Sequence, residues 1–393
     1  PVLELVGSLG LLLYGMKLMS DGVQKSAGEK LQRTLSVVTS NKVVAILTGM
    51  LITMIIQSSG ATTVMVVTFV NAGLISLAQS AGVIFGANIG TTITAWIVSI
   101  FGFNFKISAF AVPVVGLGYF LSIFKKRKYQ NIGEAIMGFG LLFLGLSGLS
   151  SVFTPDQLGW MLNIKGTGAS AIILGFLIGI VVTALLHSSS AFSAIVITMA
   201  YNGLISWELA AAMTLGSNVG STVDSIMASM GTSANGRRAA LIHVMFNLFG
   251  TIVVLCFLKP FLDLVMFITP GQENSNIAIR ISMLHTVFNI ITTVVMTPLS
   301  GKLVKIAEFL IKDDPSEKKK VFKLEFIEHS GKENVATYII QAEKAIADMT
   351  DVVTDMFDKI QIGVTKRNSS YVEKYAQEMA DAEDYVDQMH EQI

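Results

Sequence analysis

Long apolar stretches alternate with short polar ones along most of the chain. A helix that crosses a bilayer needs about 20 predominantly apolar residues. Stretches close to that length lie at roughly residues 3–20, 78–100, 106–124, 133–153, 206–230, 239–260 and 278–300. The pattern therefore predicts an all-α integral membrane protein with several spanning helices.

Two other apolar stretches, residues 43–72 and 168–202, are too long for one crossing. Polar residues interrupt each of them near the middle, with QSSG at residues 57–60 and HSSS at residues 187–190. The arms on either side are short for a complete span. This favours two re-entrant helical hairpins, each entering the membrane and returning; one long tilted helix, or two full spans, are the alternatives.

The distribution of Lys and Arg gives a topology that fits this interpretation. Basic residues are frequent in residues 21–42, 125–130, 231–238 and after residue 300, and few in residues 101–105, 154–167 and 261–277. Positive loops are typically cytoplasmic. Loops rich in Lys and Arg fall on one side of the membrane, and loops poor in them on the other, only if each polar-centred stretch counts as no crossing or as two. The first hairpin then enters from the cytoplasm and the second from outside.

Composition separates a membrane domain from a tail. Hydrophobic residues make up 52% of the 393 residues and charged residues 14%, against about 25% charged in a soluble protein. No charged residue occurs between residues 43 and 105, whereas charges are dense after residue 311. We expect a membrane domain at residues 1–310 of a multi-pass cell-membrane protein, with a cytoplasmic tail.

The two polar stretches belong to an internal repeat. Residues 57–92 align with residues 187–222 without a gap, and GANIGTT at 86–92 matches GSNVGST at 216–222. The repeats extend over about residues 3–124 and 133–260, followed by a final helix at 278–300. In the predicted topology the copies are inverted, and inverted repeats with broken helices are typical of secondary transporters. The alternative is an old duplication kept for packing.

The polar stretches offer groups that bind ions. Helix N-termini present free N–H groups to anions, whereas carbonyl, amide and hydroxyl oxygens bind hard cations. The two tips therefore look like two halves of one site, formed by Gln57, Ser58, Ser59, Gly60, His187, Ser188, Ser189 and Ser190. Two trios at i, i+3, i+4 would each share a helix face: Asn88, Thr91 and Thr92, and Asn218, Ser221 and Thr222. Tight helix packing by small hydroxyl residues is the alternative.

Asp224 is a carboxylate in the second half of a predicted apolar span, and its position in the repeat corresponds to Thr94. An acid inside a membrane is costly and usually functional. We interpret Asp224 as a cation ligand or as the residue that sets the coupling charge; an acid near a helix end, satisfied by backbone or water, is the alternative.

A second duplication, R-x4-H-x2-F-N, begins at Arg238 and again at Arg280. The sequence favours interhelical hydrogen bonds for its His and Asn residues over a role with protons or phosphate.

These motifs resemble the duplicated QSSS and GxNIGT motifs of the type II sodium–phosphate cotransporter family, over about residues 1–305. The resemblance implies sodium-coupled uptake of inorganic phosphate. It implies that the phosphate and sodium ligands include Gln57, Ser58, Ser59, Ser188, Ser189, Ser190, Asn88, Thr91, Asn218 and Ser221. Together with the reading of the residues, we expect phosphate contacts at Gln57, Ser58, Ser59, Gly60, Ser188, Ser189 and Ser190. We expect sodium contacts at Gln57, Asn88, Thr91, Thr92, His187, Ser188, Asn218, Ser221, Thr222 and Asp224. Gly60 replaces the family's usual third serine and His187 its usual glutamine, which would make one site pH-sensitive.

Residues 311–333 are predicted to be a charged linker, and residues 334–393 an amphipathic helical hairpin. The hairpin resembles the start of a PhoU-like domain, which is regulatory in phosphate systems, but has only two helices.

The expected function is sodium–phosphate symport into the cell. The rivals are a carrier of another oxyanion, a proton-coupled carrier and a membrane phosphate sensor. Sodium, phosphate and the lipid bilayer are the expected partners, and a homodimer is left open. We expect no enzyme activity, organic cofactor, other metal or nucleic acid.

Overall fold

The computed structural model describes residues 2–37, 41–104, 107–154, 168–269, 276–312, 335–366 and 369–392, and no strand occurs among them. The first copy of the repeat contains α1 (Val2–Val37), α2 (Lys42–Ile56), α3 (Ser59–Asn71), α4 (Leu77–Asn104) and α5 (Ile107–Ser122). The second contains α6 (Arg127–Val152), α7 (Ala169–Leu186), α8 (Ser189–Tyr201), α9 (Trp207–Gly220), α10 (Val223–Ser229) and α11 (Ala234–Cys256). Then follow α12 (Leu258–Ile268), α13 (Ile277–Leu310), α14 (Val335–Lys366) and α15 (Ser369–Gln392).

Six helices in the described residues are long and apolar enough to cross a membrane. They are Val2–Ala27 within α1, Leu77–Gly102 within α4, and the whole of α6, α7, α11 and α13. On α7 the large apolar side chains of Leu174, Leu177, Val181 and Leu185 are exposed. A row of exposed apolar side chains along such an apolar helix is the surface expected to face lipid. The described chain is therefore an all-α, multi-pass membrane protein.

The helix before each polar turn, α2 or α7, packs through glycine along a later helix of its own repeat, α4 or α9. A Cβ on Gly86 of α4 would collide with the carbonyl of Ile46 on α2. At the equivalent position, a Cβ on Gly216 of α9 would collide with the carbonyl of Phe176 on α7. Glycine lets the two backbones approach closely, which is how helices associate in a membrane. The same packing thus fixes α2 on α4 and α7 on α9.

The first helices of the two repeats pack against each other by exchanged contacts. A Cβ on Gly15 of α1 would meet the backbone of Leu142 on α6, and a Cβ on Gly145 of α6 would meet the backbone of Leu12 on α1. In the repeat, Gly15 corresponds to Gly145 and Leu12 to Leu142. The two contacts are therefore equivalent: each joins the glycine of one copy to the leucine of the other. Around this contact Leu12, Leu142 and Phe192 belong to one apolar core.

One predicted span is wrong, because residues 206–230 are not one helix. Helix α9 ends at Gly220 and α10 begins at Val223. The Oγ of Ser221 donates to the carbonyl of Asn218 (2.7 Å), and the Oγ1 of Thr222 donates to that of Val219 (2.8 Å). Two consecutive hydroxyls that bond to carbonyls three residues back compete with the helical ladder. The equivalent segment of the first repeat, within α4, remains continuous.

Other predicted boundaries also differ. The predicted span at 239–260 ends as a helix at Cys256, and α12 occupies part of the predicted loop 261–277. Helix α1 continues to Val37 through much of the predicted basic loop 21–42, and α13 continues ten residues beyond residue 300, to Leu310. Residues 155–167, 270–275 and 313–334, which hold most of the predicted outer loops and linker, lie outside the described residues.

The chain divides into two units, one of Pro1–Asn71 with Ile75–Ile311, and one of Ala72–Leu74 with Lys312–Ile393. The second unit contains α14 and α15. On α14, the exposed side chains of Lys344 and Asp348, one turn apart, form an ion pair (3.1 Å). Such pairs stabilise a solvated helix face only slightly.

Candidate functional site

The first polar stretch, residues 57–60, is the turn between α2 and α3, and we call it the first tip. Gln57 ends α2 in the left-handed conformation (φ 61°, ψ 21°), and its N–H donates to the carbonyl of Thr53 (2.7 Å). Ser58 then caps the N-terminus of α3, its Oγ accepting from the N–H of Ala61 (3.1 Å). A left-handed residue followed by a serine cap reverses the chain within two residues.

The second tip, residues 187–190, repeats this construction between α7 and α8. His187 is left-handed (φ 51°, ψ 29°), and the Oγ of Ser188 accepts from the N–H of Ala191 (3.2 Å). Gln57 and His187 are the non-glycine residues with positive φ in the described chain. The sequence repeat is therefore also a repeat of backbone conformation at both tips.

Each turning residue bonds to the same repeat position. The Oε1 of Gln57 accepts from the Oγ1 of Thr94 (2.9 Å), and the Nδ1 of His187 lies 2.8 Å from the Oδ1 of Asp224. Thr94 and Asp224 are equivalent in the repeat. The contact is thus kept in both copies, but a neutral pair in the first copy is replaced by an ionisable pair in the second.

Asp224 also touches the first tip. A Cβ added to Gly60 would lie 2.5 Å from the Oδ2 of Asp224. A side chain at residue 60 would therefore require this carboxylate to move, whereas the equivalent position of the second tip holds Ser190. One carboxylate therefore contacts both tips, at His187 through Oδ1 and at Gly60 through Oδ2. The side chain of Asp224 is 19% exposed and that of His187 51%.

The tips supply anion donors of a known kind. The first N–H groups of an α-helix have no acceptor within the helix and carry partial positive charge. Ser59 and Gly60 lie in the first turn of α3, and Ser189 and Ser190 in the first turn of α8. Ser189 and Ser190 are buried, whereas Ser58, Ser59 and Gly60 are partly exposed. Amides and hydroxyls of this kind can bind an oxyanion.

The predicted cation ligands are less uniform. Thr92, Ser221 and Thr222 each donate their hydroxyl to a carbonyl three residues back, which leaves their oxygen lone pairs available. The buried Oγ1 of Thr91 has no hydrogen-bond partner among the described residues. The Nδ2 of Asn88 donates to the carbonyl of Ile84 (2.8 Å).

Asn218 is already engaged. Its Nδ2 donates to the carbonyl of Thr214 (3.1 Å) and its Oδ1 lies 3.0 Å from the Nε2 of His285. The predicted helix face shared by Asn218, Ser221 and Thr222 is also wrong, since the last two lie between α9 and α10. Asp224 is therefore not on the same helix as Asn218.

The structure brings together Gly60, His187 and Asp224 directly. The sequence did not identify Thr94 as the partner of Gln57, nor Asn218 as that of His285. The interhelical hydrogen bonds expected of the two motif histidines are confirmed, by His285 with Asn218 (3.0 Å) and by His243 with Ser225 (2.9 Å). The repeat could have indicated Thr94, because it is the counterpart of Asp224. Among the described residues no three His, Cys, Asp or Glu side chains form a group that could hold a metal ion.

Comparison with known proteins gives a consistent family. Over 320 residues the chain is 29% identical to the uncharacterized protein YqeW of Bacillus subtilis strain 168, covering 79% of this chain and 99% of YqeW. Over 315 residues it is 28% identical to YjbB of Escherichia coli K12, named as a candidate inorganic phosphate export protein. That match covers 80% of this chain but 56% of YjbB, so the chain spans about half of that relative.

The rat sodium-dependent phosphate transport protein 2B is 33% identical over 131 residues, which are 32% of this chain and 18% of that protein. No solved structure gives a significant match. The family model described as Na+/Pi-cotransporter matches residues 11–151 and 161–297. The chain therefore belongs to the Na+/Pi-cotransporter family.

Proposed function

We propose that this protein couples sodium to the import of inorganic phosphate. The two copies of the repeat are inverted in the membrane, and α2–α3 and α7–α8 are re-entrant hairpins whose tips hold phosphate at the midplane. Exchanged contacts between α1 and α6 support this arrangement. Membership of the Na+/Pi-cotransporter family supports the choice of substrate and ion.

The observation that carries the proposal is the contact of Asp224 with both tips. Its carboxylate lies at the first turn of α3, next to Gly60. This positive helix end is also where we place phosphate. Two like unit charges about 4 Å apart repel by about 4 kcal/mol at an effective dielectric constant of 20. Phosphate therefore binds poorly beside an uncompensated Asp224.

Sodium removes this obstacle. A Na+ held by Asp224 and by neighbouring hydroxyl oxygens, such as those of Ser221 and Thr222, offsets the carboxylate charge and attracts phosphate. Sodium then binds before phosphate, and its gradient drives accumulation of the anion. In the first copy Gln57 and Thr94 form the neutral counterpart of this arrangement, with the open hydroxyl of Thr91 nearby in sequence as a further oxygen ligand.

Export is the second candidate, favoured by the name of the relative YjbB. An inward Na+ gradient drives symport inward, so export would require antiport, a different coupling ion or a phosphate concentration higher inside than outside. The direction is therefore tested together with the coupling.

The test is labelled-phosphate uptake into proteoliposomes of the full chain, with and without an inward Na+ gradient. We expect Na+-dependent accumulation that sulfate does not inhibit and that Ser189→Ala reduces at least tenfold. Phosphate binding without accumulation would instead indicate a sensor. Accumulation driven by a proton gradient alone would overturn sodium coupling, and inhibition by sulfate would overturn selectivity for phosphate.

A further inference from the structure

Four fully buried polar residues lie on α11 and α13, outside the tips. They are Asn247, Thr251, His285 and Asn289, with exposed fractions of 0%, 0%, 2% and 0%. Asn247 and His285 belong to different copies of the R-x4-H-x2-F-N motif, as do His243 and Asn289. Each of the four has one polar atom with no hydrogen-bond partner among the described residues: Asn247 Oδ1, Thr251 Oγ1, His285 Nδ1 and Asn289 Oδ1.

The orientation of both amides is fixed. The Nδ2 of Asn247 donates to the carbonyl of His243 (3.1 Å), and the Nδ2 of Asn289 donates to that of His285 (2.9 Å). Rotating either amide by 180° would break this bond and put an acceptor against a carbonyl. In both residues the atom left without a partner is therefore the acceptor oxygen.

The tautomer of His285 follows from the same reasoning. Asn218 uses its Nδ2 on the carbonyl of Thr214, so its Oδ1 faces the Nε2 of His285. Nε2 must then carry the hydrogen, and a neutral ring leaves Nδ1 as an acceptor. Asn247, Asn289 and His285 thus all present acceptors, and only Thr251 could supply a hydrogen.

The four residues lie at one level of the packed helices. Gly250 of α11 packs on Phe288 and Thr292 of α13, because a Cβ there would meet both side chains. Asn247 and Thr251 flank Gly250 within one turn, and Asn289 lies between Phe288 and Thr292. His285 is one turn before Asn289 on α13. All four are therefore within about one helical turn of this closest approach.

A set made almost entirely of acceptors calls for a cation. Buried acceptors are costly when nothing satisfies them, and one water can donate only two hydrogens. A hard cation can bind several oxygens at once. None of the four residues carries a charge when the His285 ring is neutral, so the protein does not offset the charge of a bound ion. The Born cost of burying an ion rises with the square of its charge. A monovalent ion therefore fits this site better than a divalent one.

We propose a Na+ site between α11 and α13, with Asn247 Oδ1, Thr251 Oγ1 and Asn289 Oδ1 as protein ligands and a coordinated water that donates to His285 Nδ1. The site is linked to the GSNVGST segment through the His285–Asn218 bond. The proposal rests on the proposed function only where it makes this Na+ a second coupling ion. Binding of the ion itself is independent of phosphate transport.

The test measures the melting temperature of the purified full chain without phosphate, as choline chloride is replaced by NaCl at constant ionic strength. The parent is Asp224→Asn, in which the tip carboxylate that binds Na+ is removed. Thr251→Val and Asn289→Leu in this parent remove one ligand each with little change of shape. A ligand that binds the folded state raises its melting temperature.

We expect Na+ to raise the melting temperature of the parent. In Thr251→Val and Asn289→Leu, which should remain folded in choline, the Na+ concentration that gives half of this rise should be at least tenfold higher. Thr251→Ser keeps the hydroxyl and should keep the response. An unchanged midpoint in Thr251→Val and Asn289→Leu would overturn the site. So would a parent that Na+ does not stabilise, or that K+ stabilises equally; this last comparison requires only the Asp224→Asn parent to fold. Loss of phosphate uptake with an intact Na+ response would instead contradict only the proposed function.

Discussion

At the scale of single residues, the chain reverses at two non-glycine positions that hold an unfavourable backbone conformation. Gln57 and His187 are both left-handed. This conformation costs a non-glycine residue about 1 to 2 kcal/mol. Glycine would adopt this conformation at a lower free-energy cost, which indicates that the side chains of Gln57 and His187 have a role besides forming the turn. Their bonds to Thr94 and Asp224 are consistent with that role.

The cost of the left-handed backbone and the role of the side chain can be tested separately at Gln57. Gln57→Gly and Gln57→Ala both remove the amide, but only glycine relieves the backbone. We expect both to lose at least tenfold in Na+-dependent phosphate uptake, with Gln57→Gly more stable than Gln57→Ala by about 1 kcal/mol. Unfolding in detergent measures the stability. Equal stability of the two variants would show that the turn is not strained.

The contact of Gly60 with Asp224 predicts a second pair of variants. Gly60→Ala puts a methyl 2.5 Å from the Oδ2 of Asp224 and should lower uptake at least tenfold. The same clash should lower the melting temperature. Adding Asp224→Ser frees the space and should restore the melting temperature, but not the sodium dependence of phosphate uptake. Gly301→Ala is the matched control, since a Cβ there has nothing within 4 Å. Full activity of Gly60→Ala alone would mean that the carboxylate does not rest on the first tip.

The sequence could predict which residues are unusual here, but not which of them meet. Asp224 stands out as an acid in an apolar segment, and His187 as a departure from QSSS. Their pairing depends on how far α10 is turned after the break at Ser221 and Thr222, which no local pattern specifies. The pair Gln57–Thr94 was within reach, because the repeat relates it to His187–Asp224.

At the scale of helices, the positions of α2 and α7 depend on glycine contacts with α4 and α9. Their apolar composition does not hold them there, because lipid is equally apolar. Gly216→Ala should therefore separate α9 from α7 and destabilise the protein by about 1 to 3 kcal/mol, the usual cost of overpacking. Thermal unfolding in detergent, beside Gly301→Ala, measures this.

Gly86→Ala, at the equivalent position of α4, should cost about the same. A large loss in one variant and none in the other would contradict equivalent packing of the two arms.

Helix boundaries were the weakest predictions. Hydropathy placed most apolar helices correctly because each carries a long uninterrupted apolar run. It merged α9 with α10, because Ser221 and Thr222 are compatible with a helix until their hydroxyls bond to its carbonyls. It also took α12 for a loop, since eleven residues are too few to register as a span.

At the scale of the whole molecule, the membrane domain and the tail are separable in sequence. The family match ends at residue 297, and residues 312–393 form most of the second unit. We expect a chain truncated after Ile311 to insert, fold and retain Na+-dependent uptake within about twofold. The resemblance of the tail to PhoU-like domains predicts a change in regulation instead. Loss of folding or of all uptake on truncation would make the tail part of the transport machinery.

In the proposed mechanism, Asp224 excludes phosphate until sodium binds. The most direct measurement is the equilibrium affinity for phosphate as a function of Na+ concentration, in purified full chain and in Asp224→Asn. We predict that the original chain binds phosphate at least tenfold more tightly in Na+ than in choline. Asp224→Asn should bind phosphate in choline with most of that affinity. An equal Na+ dependence in both proteins would contradict the role assigned to the carboxylate.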